Sequence, residues 1–439
     1  MTATTTPADI PATVARLRAS FATGRTKPLA WRQEQLAALR ALLTEQSDAF
    51  LEALHADLGK SAAEAYRTEV GFTVNELDHT VAHLEEWLAP TPAGVPGVFH
   101  PAEAKVVRDP LGVVLIIGPW NYPLQLLLAP LVGALAAGNT AVVKPSELAP
   151  QTSAALARLL PRYLGPEVVR VVEGGIPETT TLLEQRFDHI FYTGNGTVGR
   201  IVMAAAAKHL TPVTLELGGK SPVVVEPGAD LAVTAQRLAQ GKFLNAGQTC
   251  VAPDYVLAIG ETAAALEPHL AAAVRELFGE DPRTAPYGRI VNERHFDRLA
   301  SLLDDGRVVT GGEHDRNSRY LAPTVLADVS PDAPVMQAEI FGPILPIVAV
   351  PDLDAAIAFI NERDKPLALY AFTASDRTKA RLTEETSSGA LSFGLPVSHL
   401  AMPELPFGGV GESGMGRYHG AYSIDTFSHA KAVVDKPLG

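Results

Sequence analysis

Apolar positions follow three regimes along the chain. Over residues 8–90 they recur at helical spacing, as in Val14, Leu17 and Phe21 or Leu36, Leu39 and Leu43. From about residue 105 to 225, short β-branched runs alternate with longer amphipathic ones. The strand-like runs are 113–117, 140–143, 168–172, 189–192 and 213–217, with helix-like runs such as 151–163 and 179–184 between them. After Gly218-Gly219-Lys220 the alternation restarts, with a strand at 222–225, a helix at 231–243, and further elements through 344–350, 353–360 and 369–372. Strands alternating with helices predict parallel, doubly wound sheets, hence an α/β fold with two such domains. Residues 90–101 are rich in proline and glycine and read as a linker or the start of an exposed hairpin. The tail over 408–416 holds too much glycine for helix or strand.

Residues 111–143 carry no charge and are long enough to span a bilayer. Pro119, Pro123, Pro130 and Gly138-Asn139 punctuate them, so they read as a buried strand, a loop and a core helix. The chain has 439 residues, 47% of them hydrophobic, enough for two or three domains with ample cores. Its formal charge of −13 argues against nucleic acid or an anionic membrane as partner, since both need a basic face. The first ten residues lack the basic and apolar regions of a signal peptide, and the C-terminus lacks an anchor, which predicts a cytoplasmic protein.

There is one cysteine, Cys250. It allows no internal disulfide and makes a poor zinc or iron–sulfur site. Free cysteine commonly packs as a small hydrophobe, but here Asn245, Gly247, Gln248 and Thr249 precede it and Pro253 follows. A thiol on a polar, glycine-bearing loop is placed to react, given local help to ionise. Gly194-Asn195-Gly196-Thr197-Val198-Gly199 fits a dinucleotide turn between the strand 189–192 and a helix over about 198–209. Either Glu216 or Glu147, the latter close to Lys144, could then bind a ribose, and spacing does not choose between them. Asn121 lies where the strand 113–117 ends, and its amide could serve an oxyanion or merely a turn. The twelve histidines show no metal-ligand spacing, so no metal is expected.

Taken together, these segments resemble the aldehyde dehydrogenase superfamily, most closely its short class 3-like branch. The resemblance is carried by Pro119-Trp120-Asn121, Val143-Lys144-Pro145-Ser146-Glu147, Tyr192-Thr193-Gly194, Glu216-Leu217-Gly218-Gly219-Lys220-Ser221-Pro222, Gly247-Gln248-Thr249-Cys250, Glu339-Ile340-Phe341-Gly342-Pro343 and Pro406-Phe407-Gly408-Gly409-Val410-Gly411. They stand in the family's order and span most of the chain. The absent N-terminal extension and Val251-Ala252-Pro253-Asp254-Tyr255 are similar to class 3.

The resemblance implies that Cys250 attacks an aldehyde, that Asn121 and the Cys250 amide hold the oxyanion, and that Glu216 activates the water that hydrolyses a thioester. It implies NAD as cofactor, with NADP also accepted. Lys144 and Glu147 would meet the adenosine ribose, and Thr193, Gly194, Gly196 and Gly199 would lie beside the phosphates. Glu339 and Phe341 would serve the nicotinamide end. It further implies a cofactor domain over 1–91 and 111–218 and a catalytic domain over 219–412. A bridging, oligomerising β element over 92–110 and 413–439 would make a homodimer. Tyr122, Leu124, Phe243, Phe393, Leu395 and Phe407 lie near the catalytic motifs in sequence and are expected to line the substrate tunnel, favouring medium-chain or aromatic aldehydes. Relatives commonly carry Val-Asn-Asp where this chain has Ala390-Leu391-Ser392-Phe393-Gly394, which leaves substrate range open. A coenzyme A-acylating enzyme, a cysteine hydrolase and a non-catalytic binding protein are the alternatives. The first needs no Glu216, the second needs a histidine partner that does not stand out, and the third needs none of the triad.

Overall fold

The computed structural model describes residues 6–438. The first five residues of the N-terminal stretch read for a signal peptide, and Gly439, lie outside them. Helices Ile10–Ala22, Leu29–Glu45, Ser47–Leu58 and Gly71–Leu88 open the chain. Leu36, Leu39 and Leu43 are fully enclosed, as their spacing predicts, while Phe21 near the end of the first helix stays half-buried.

One sheet runs, in spatial order, Gly414–Met415, Val213–Glu216, His189–Thr193, Val113–Ile117, Thr140–Lys144 and Val169–Val171. Its strands are parallel except the first piece. Chain order reverses between Val113–Ile117 and His189–Thr193, which opens a crevice beyond their carboxyl ends, the usual ligand site of such sheets. Every residue of Val113–Ile117 and of the helix Gln125–Ala137 is buried. The charge-free stretch is therefore a strand, a loop and a core helix. Among the described residues no helix is long and apolar enough to cross a membrane.

Residues 217–221 carry the chain into a second sheet, ordered Arg307–Thr310, Thr324–Ala327, Ile344–Val350, Tyr255–Ile259, Pro222–Val225, Ala368–Phe372 and Ala390–Phe393. It too is parallel apart from the strand Arg307–Thr310 at one edge. A third, antiparallel sheet joins Thr91–Ala93, Glu103–Pro110 and Ser428–Asp435, and the last two stay in register from Ser428 against Pro110 to Asp435 against Glu103.

Two elements depart from the pattern expected of the sequence. The helix after the glycine turn begins at Gly196, so Gly196 and Gly199 are helical residues. In the tail, Gly414–Met415 forms a short strand against Leu215 and Glu216. Glycine makes this possible: Gly414 has φ +144°, and a Cβ there would stand 2.2 Å from the Leu215 carbonyl oxygen. The tail thus clamps the backbone of Glu216.

Candidate active site

The helix Leu231–Phe243 starts at an Asp230 cap that accepts the Ala232 and Val233 amides, and it ends as the chain turns sharply. Asn245, Ala246 and Gly247 follow with φ of 52°, 53° and 73°, a left-handed run that only surrounding contacts can hold. Those contacts are specific. The Asn245 amide donates to Glu64 Oε1 at 2.8 Å. Gln248 Nε2 donates to the Asn245 and Arg289 carbonyls at 3.0 Å each, and Gln248 Oε1 accepts the Val291 amide at 3.0 Å. A Cβ on Gly247 would lie 2.2 Å from the Gly342 carbonyl oxygen. The turn delivers Cys250 to the wall of a cavity of about 340 Å³.

Cys250 as a whole is half-buried, yet its thiol is enclosed. Burial, then the carboxyls of Glu339 and Glu216, push it up to about 12, while the amides of Cys250 and Val251 pull it back toward ionisation. Glu216 is 2% exposed, and neither carboxyl oxygen has a hydrogen-bond partner. Burial alone raises it well above the usual carboxylate range. Asn121 Nδ2 donates to the Gln248 carbonyl at 3.0 Å, which sets that amide beside the cysteine loop and leaves its second hydrogen free.

Asn121 itself is held by groups that the sequence did not single out. Lys60, wholly enclosed, donates to the Asn121 carbonyl at 2.9 Å and to Glu69 Oε1 at 2.5 Å, and lies 4.0 Å over the Tyr122 ring. Glu69 Oε2 accepts the Leu124 and Gln125 amides at 3.0 Å each. Tyr122 in turn meets Thr249 Oγ1 at 2.6 Å. A buried ion pair inside an N-terminal helical region reads in sequence as a solvated helix face, because its partners lie some sixty residues away.

Lys144 ends the strand Thr140–Lys144, 3% exposed, and donates to Glu147 Oε2 at 3.1 Å. The Glu147 carboxylate is half-exposed. Thr193, Gly194 and the Asn195 cap of the helix Gly196–Ala207 lie at the crevice where strand order reverses. Gly199 packs on Leu217, where a Cβ would come within 2.9 Å. Glu339 is half-buried as a residue, with its Oε1 enclosed and unpartnered. Burial and the charge of Asp254 raise it to about 8, offset in part by the Gly219 amide, Lys220 and Lys242. Gly218 lies so close that a Cβ on it would stand 2.0 Å from Glu339 Oε2. Phe341, at φ +49°, sets its ring edge-on to Trp120 at 5.3 Å.

Of the expected tunnel residues, Tyr122, Leu395 and Phe407 line the cavity with Cys250. Phe243 does not. Arg237, Gln240 and Gly241 share the helix face turned to the cavity, which points Phe243 the other way, against Phe278 at 6.2 Å. Phe393 and Leu124 also lie outside the lining. Phe393 ends an edge strand and packs on the core, so the lining begins at Leu395, while Leu124 is fully enclosed in that core. Arg67, Phe72, Tyr418 and His419 line the cavity without having been foreseen. Tyr418 and His419 stack at 4.1 Å, and His419 Nδ1 stands 3.2 Å from Glu76 Oε2. An aromatic pair directly after a glycine-rich loop is the one local signal for them.

A family model described as "Aldehyde dehydrogenase family" matches residues 1–433. "Aldehyde dehydrogenase family 3 member A2" of Mus musculus is 52% identical over 426 residues, covering 97% of this chain and 88% of that protein. "Aldehyde dehydrogenase, dimeric NADP-preferring" of Rattus norvegicus is 48% identical over 427 residues, covering 97% and 94%. A solved structure described as "Substrate bound state of Staphylococcus Aureus AldH" is similar with a TM-score of 0.96 and 45% identity, covering 98% of this chain and 94% of that one. "Crystal structure of Mycobacterium tuberculosis aldehyde dehydrogenase complexed with NAD+" is similar at TM-score 0.89 and 30% identity, covering 99% and 92%.

Proposed function

The chain belongs to the aldehyde dehydrogenase family and is an NAD(P)-dependent enzyme, and from that membership we propose that it converts aldehydes with apolar chains, medium-length or aromatic, to carboxylic acids through a covalent intermediate on Cys250. What carries this is one juxtaposition. The single thiol of the chain opens on a mostly apolar cavity, and an enclosed carboxyl with no partner, Glu216, lies close enough for its charge to be felt at the sulfur.

Cys250 Sγ adds to the carbonyl carbon, a C–S bond forms, and the carbonyl oxygen takes the negative charge. The free hydrogen of Asn121 Nδ2 and the Cys250 amide stabilise that oxyanion. Bound NAD(P) supplies the acceptor for the hydride that leaves the former aldehyde carbon. Cys250 is then acylated as a thioester. Glu216 takes a proton from water, the water oxygen attacks the acyl carbon, the C–S bond breaks, and acid and thiol are released. Burial disfavours the charged form of both groups, so Cys250 must give up its proton before attack and Glu216 must be in its carboxylate form before it takes one from water.

The residues present fit the cofactor. Thr193 Oγ1 and Glu339 Oε1 are buried without partners, as groups awaiting a ligand would be. Lys144 and Glu147 offer a donor and an acceptor to one ribose, and Glu339 an acceptor to the other, with Phe341 beside it. The helix that starts at Gly196 offers its N-terminus toward the phosphates. The cofactor domain then takes in 1–91 and 111–218, the catalytic domain 219–412. Ser428–Asp435, an exposed edge strand, is the surface through which a homodimer would form, in keeping with the word dimeric in the name of the rat relative.

The test is Glu216→Gln beside Cys250→Ser. The glutamine variant should give one turnover of reduced cofactor and then stall, with a mass increase equal to the acyl group on Cys250. The serine variant should give neither. Steady turnover of Glu216→Gln at near wild-type rate with saturating NAD would remove Glu216 as the base.

A further inference from the structure

We propose that the cavity mouth selects aldehydes bearing an anionic group at the end remote from the carbonyl, so that ω-oxo carboxylates outrank neutral aldehydes of the same length. This deepens the apolar-aldehyde reading above and rests on it. The inner wall is built of side chains such as Phe72, Leu126, Val251 and Phe407, which suit an apolar spacer. The outer wall is different. Arg67, on the π-helical segment Tyr66–Val70, and Arg237, on the helix Leu231–Phe243, are both exposed and both line the cavity. No aspartate or glutamate lines it.

That imbalance is unexpected in a chain with formal charge −13. Some exposed arginines elsewhere find carboxylates, as Arg40 does with Asp78, Arg307 with Glu267 and Asp328, and Arg316 with Glu293 and Asp297, while others such as Arg16, Arg158 and Arg294 have no ion pair among the described residues. Among the described residues Arg67 has no ion pair or side-chain hydrogen bond, and Arg237 spends only Nη1, on the Gly394 carbonyl at 2.8 Å. Glu64, one helical turn before Arg67, is engaged by the Asn245 amide instead. What sets these two apart is position: two guanidinium groups from different elements leave most of their donors open on the lining of one cavity that has no acidic side chain. Their planar forks match a carboxylate, and a cleft with apolar walls concentrates their field.

The dimensions agree. A cavity of about 340 Å³ lies at the small end of the roughly 300–1,000 Å³ typical of ligand sites, so a medium chain fills it and leaves its far end among the arginines. Exposed ion pairs are weak, so each arginine should contribute at most about a fivefold gain in kcat/KM, and screening by salt should erode it.

The experiment compares 9-oxononanoate, its methyl ester and nonanal, with wild type, Arg67→Gln, Arg237→Gln and the double variant, at low and high sodium chloride. The readout is the ratio of kcat/KM for the acid over that for the ester. Wild type should show a ratio well above one, falling several-fold in the double variant and on adding salt. A wild-type ratio of one or less, or a ratio that the double variant leaves in place, overturns the proposal. If the ester and nonanal are not oxidised at all, the apolar-aldehyde reading fails with it. If they are oxidised and only the ratio is flat, the charge selection alone fails.

Discussion

Replacing Glu339 by Gln should stabilise the protein above neutral pH while weakening its hold on NAD(P). Burial, with Asp254 nearby, raises the Glu339 carboxyl from 4.5 to about 8. A group whose folded pKa lies above its unfolded value contributes stability that is whole below the unfolded pKa and is lost as pH rises through the folded one. The window here runs from about pH 4.5 to about 8. At about 1.36 kcal/mol per pH unit, that interval amounts to roughly 5 kcal/mol lost by pH 8. Glutamine keeps the shape and stays neutral, so the variant should gain on the wild type steadily across the window and level off above it. Lys242, lowered by burial from 10.5 to about 8, adds slope only near the top of that window, so the change between pH 5 and 7 belongs to Glu339. Urea unfolding at pH 5, 6, 7 and 8 measures the difference. If ribose hydroxyls donate to the ionised carboxylate, NAD(P) binding to the wild type should tighten over the same pH range, and binding to the variant should be weaker and flat. Parallel stability curves for the two proteins would refute the burial argument. A changed stability slope with unchanged NAD(P) affinity would refute the ribose role.

Glu147→Gln tests cofactor choice. Its carboxylate repels a 2′-phosphate but is half-exposed and free to swing aside, so the wild type should prefer NAD over NADP without excluding NADP, and the variant should narrow the preference. Equal efficiency with both cofactors, unmoved by the substitution, would sink that argument. Gly247→Ala adds a Cβ 2.2 Å from a carbonyl oxygen at φ +73° and should cost about 2–4 kcal/mol, seen as a lower melting temperature together with lost turnover. Wild-type melting and turnover would show that the turn has another way to form.

What the sequence disclosed follows from the range of the forces involved. The strands 113–117 and 222–225 and the helix 231–243 stand at the bounds their local patterns predict, because burial on both faces or on one stripe is written into consecutive residues. The position of Cys250 was legible for the same reason: a glycine-bearing polar turn after an amphipathic helix is local information. The cavity was not. Arg67 and Phe72 sit within the N-terminal helices, assigned by resemblance to the cofactor half, yet they wall the same space as Arg237 and Val251. Phe243 was misjudged by nearness in sequence, when helical phase decides which way a side chain points. The short strand Gly414–Met415 escaped because strand propensity speaks of side-chain packing, and two tail residues pair here where glycine permits close approach.

The distribution of unsatisfied groups carries the site reading one step further. Most buried polar side chains in folded proteins find partners, and many in this chain do. Asp57 accepts the Gln151 and Thr152 amides and the Thr152 hydroxyl, and Asn139 links Gly112, Ala134 and Phe427. Four of the side chains left without partners bear on the site, namely Thr193 at the crevice, Glu216 at both oxygens, Glu339 at Oε1 and Lys242 at its amine, while others such as Thr26, Trp31 and His189 lie elsewhere in the fold. Each is destabilising as it stands, since an unpaired buried polar group costs about 1–3 kcal/mol. Folding alone gives no reason to keep four together. A ligand that supplies their partners does, and on that account cofactor binding should release protons and raise the melting temperature by more than its bare contact area would suggest.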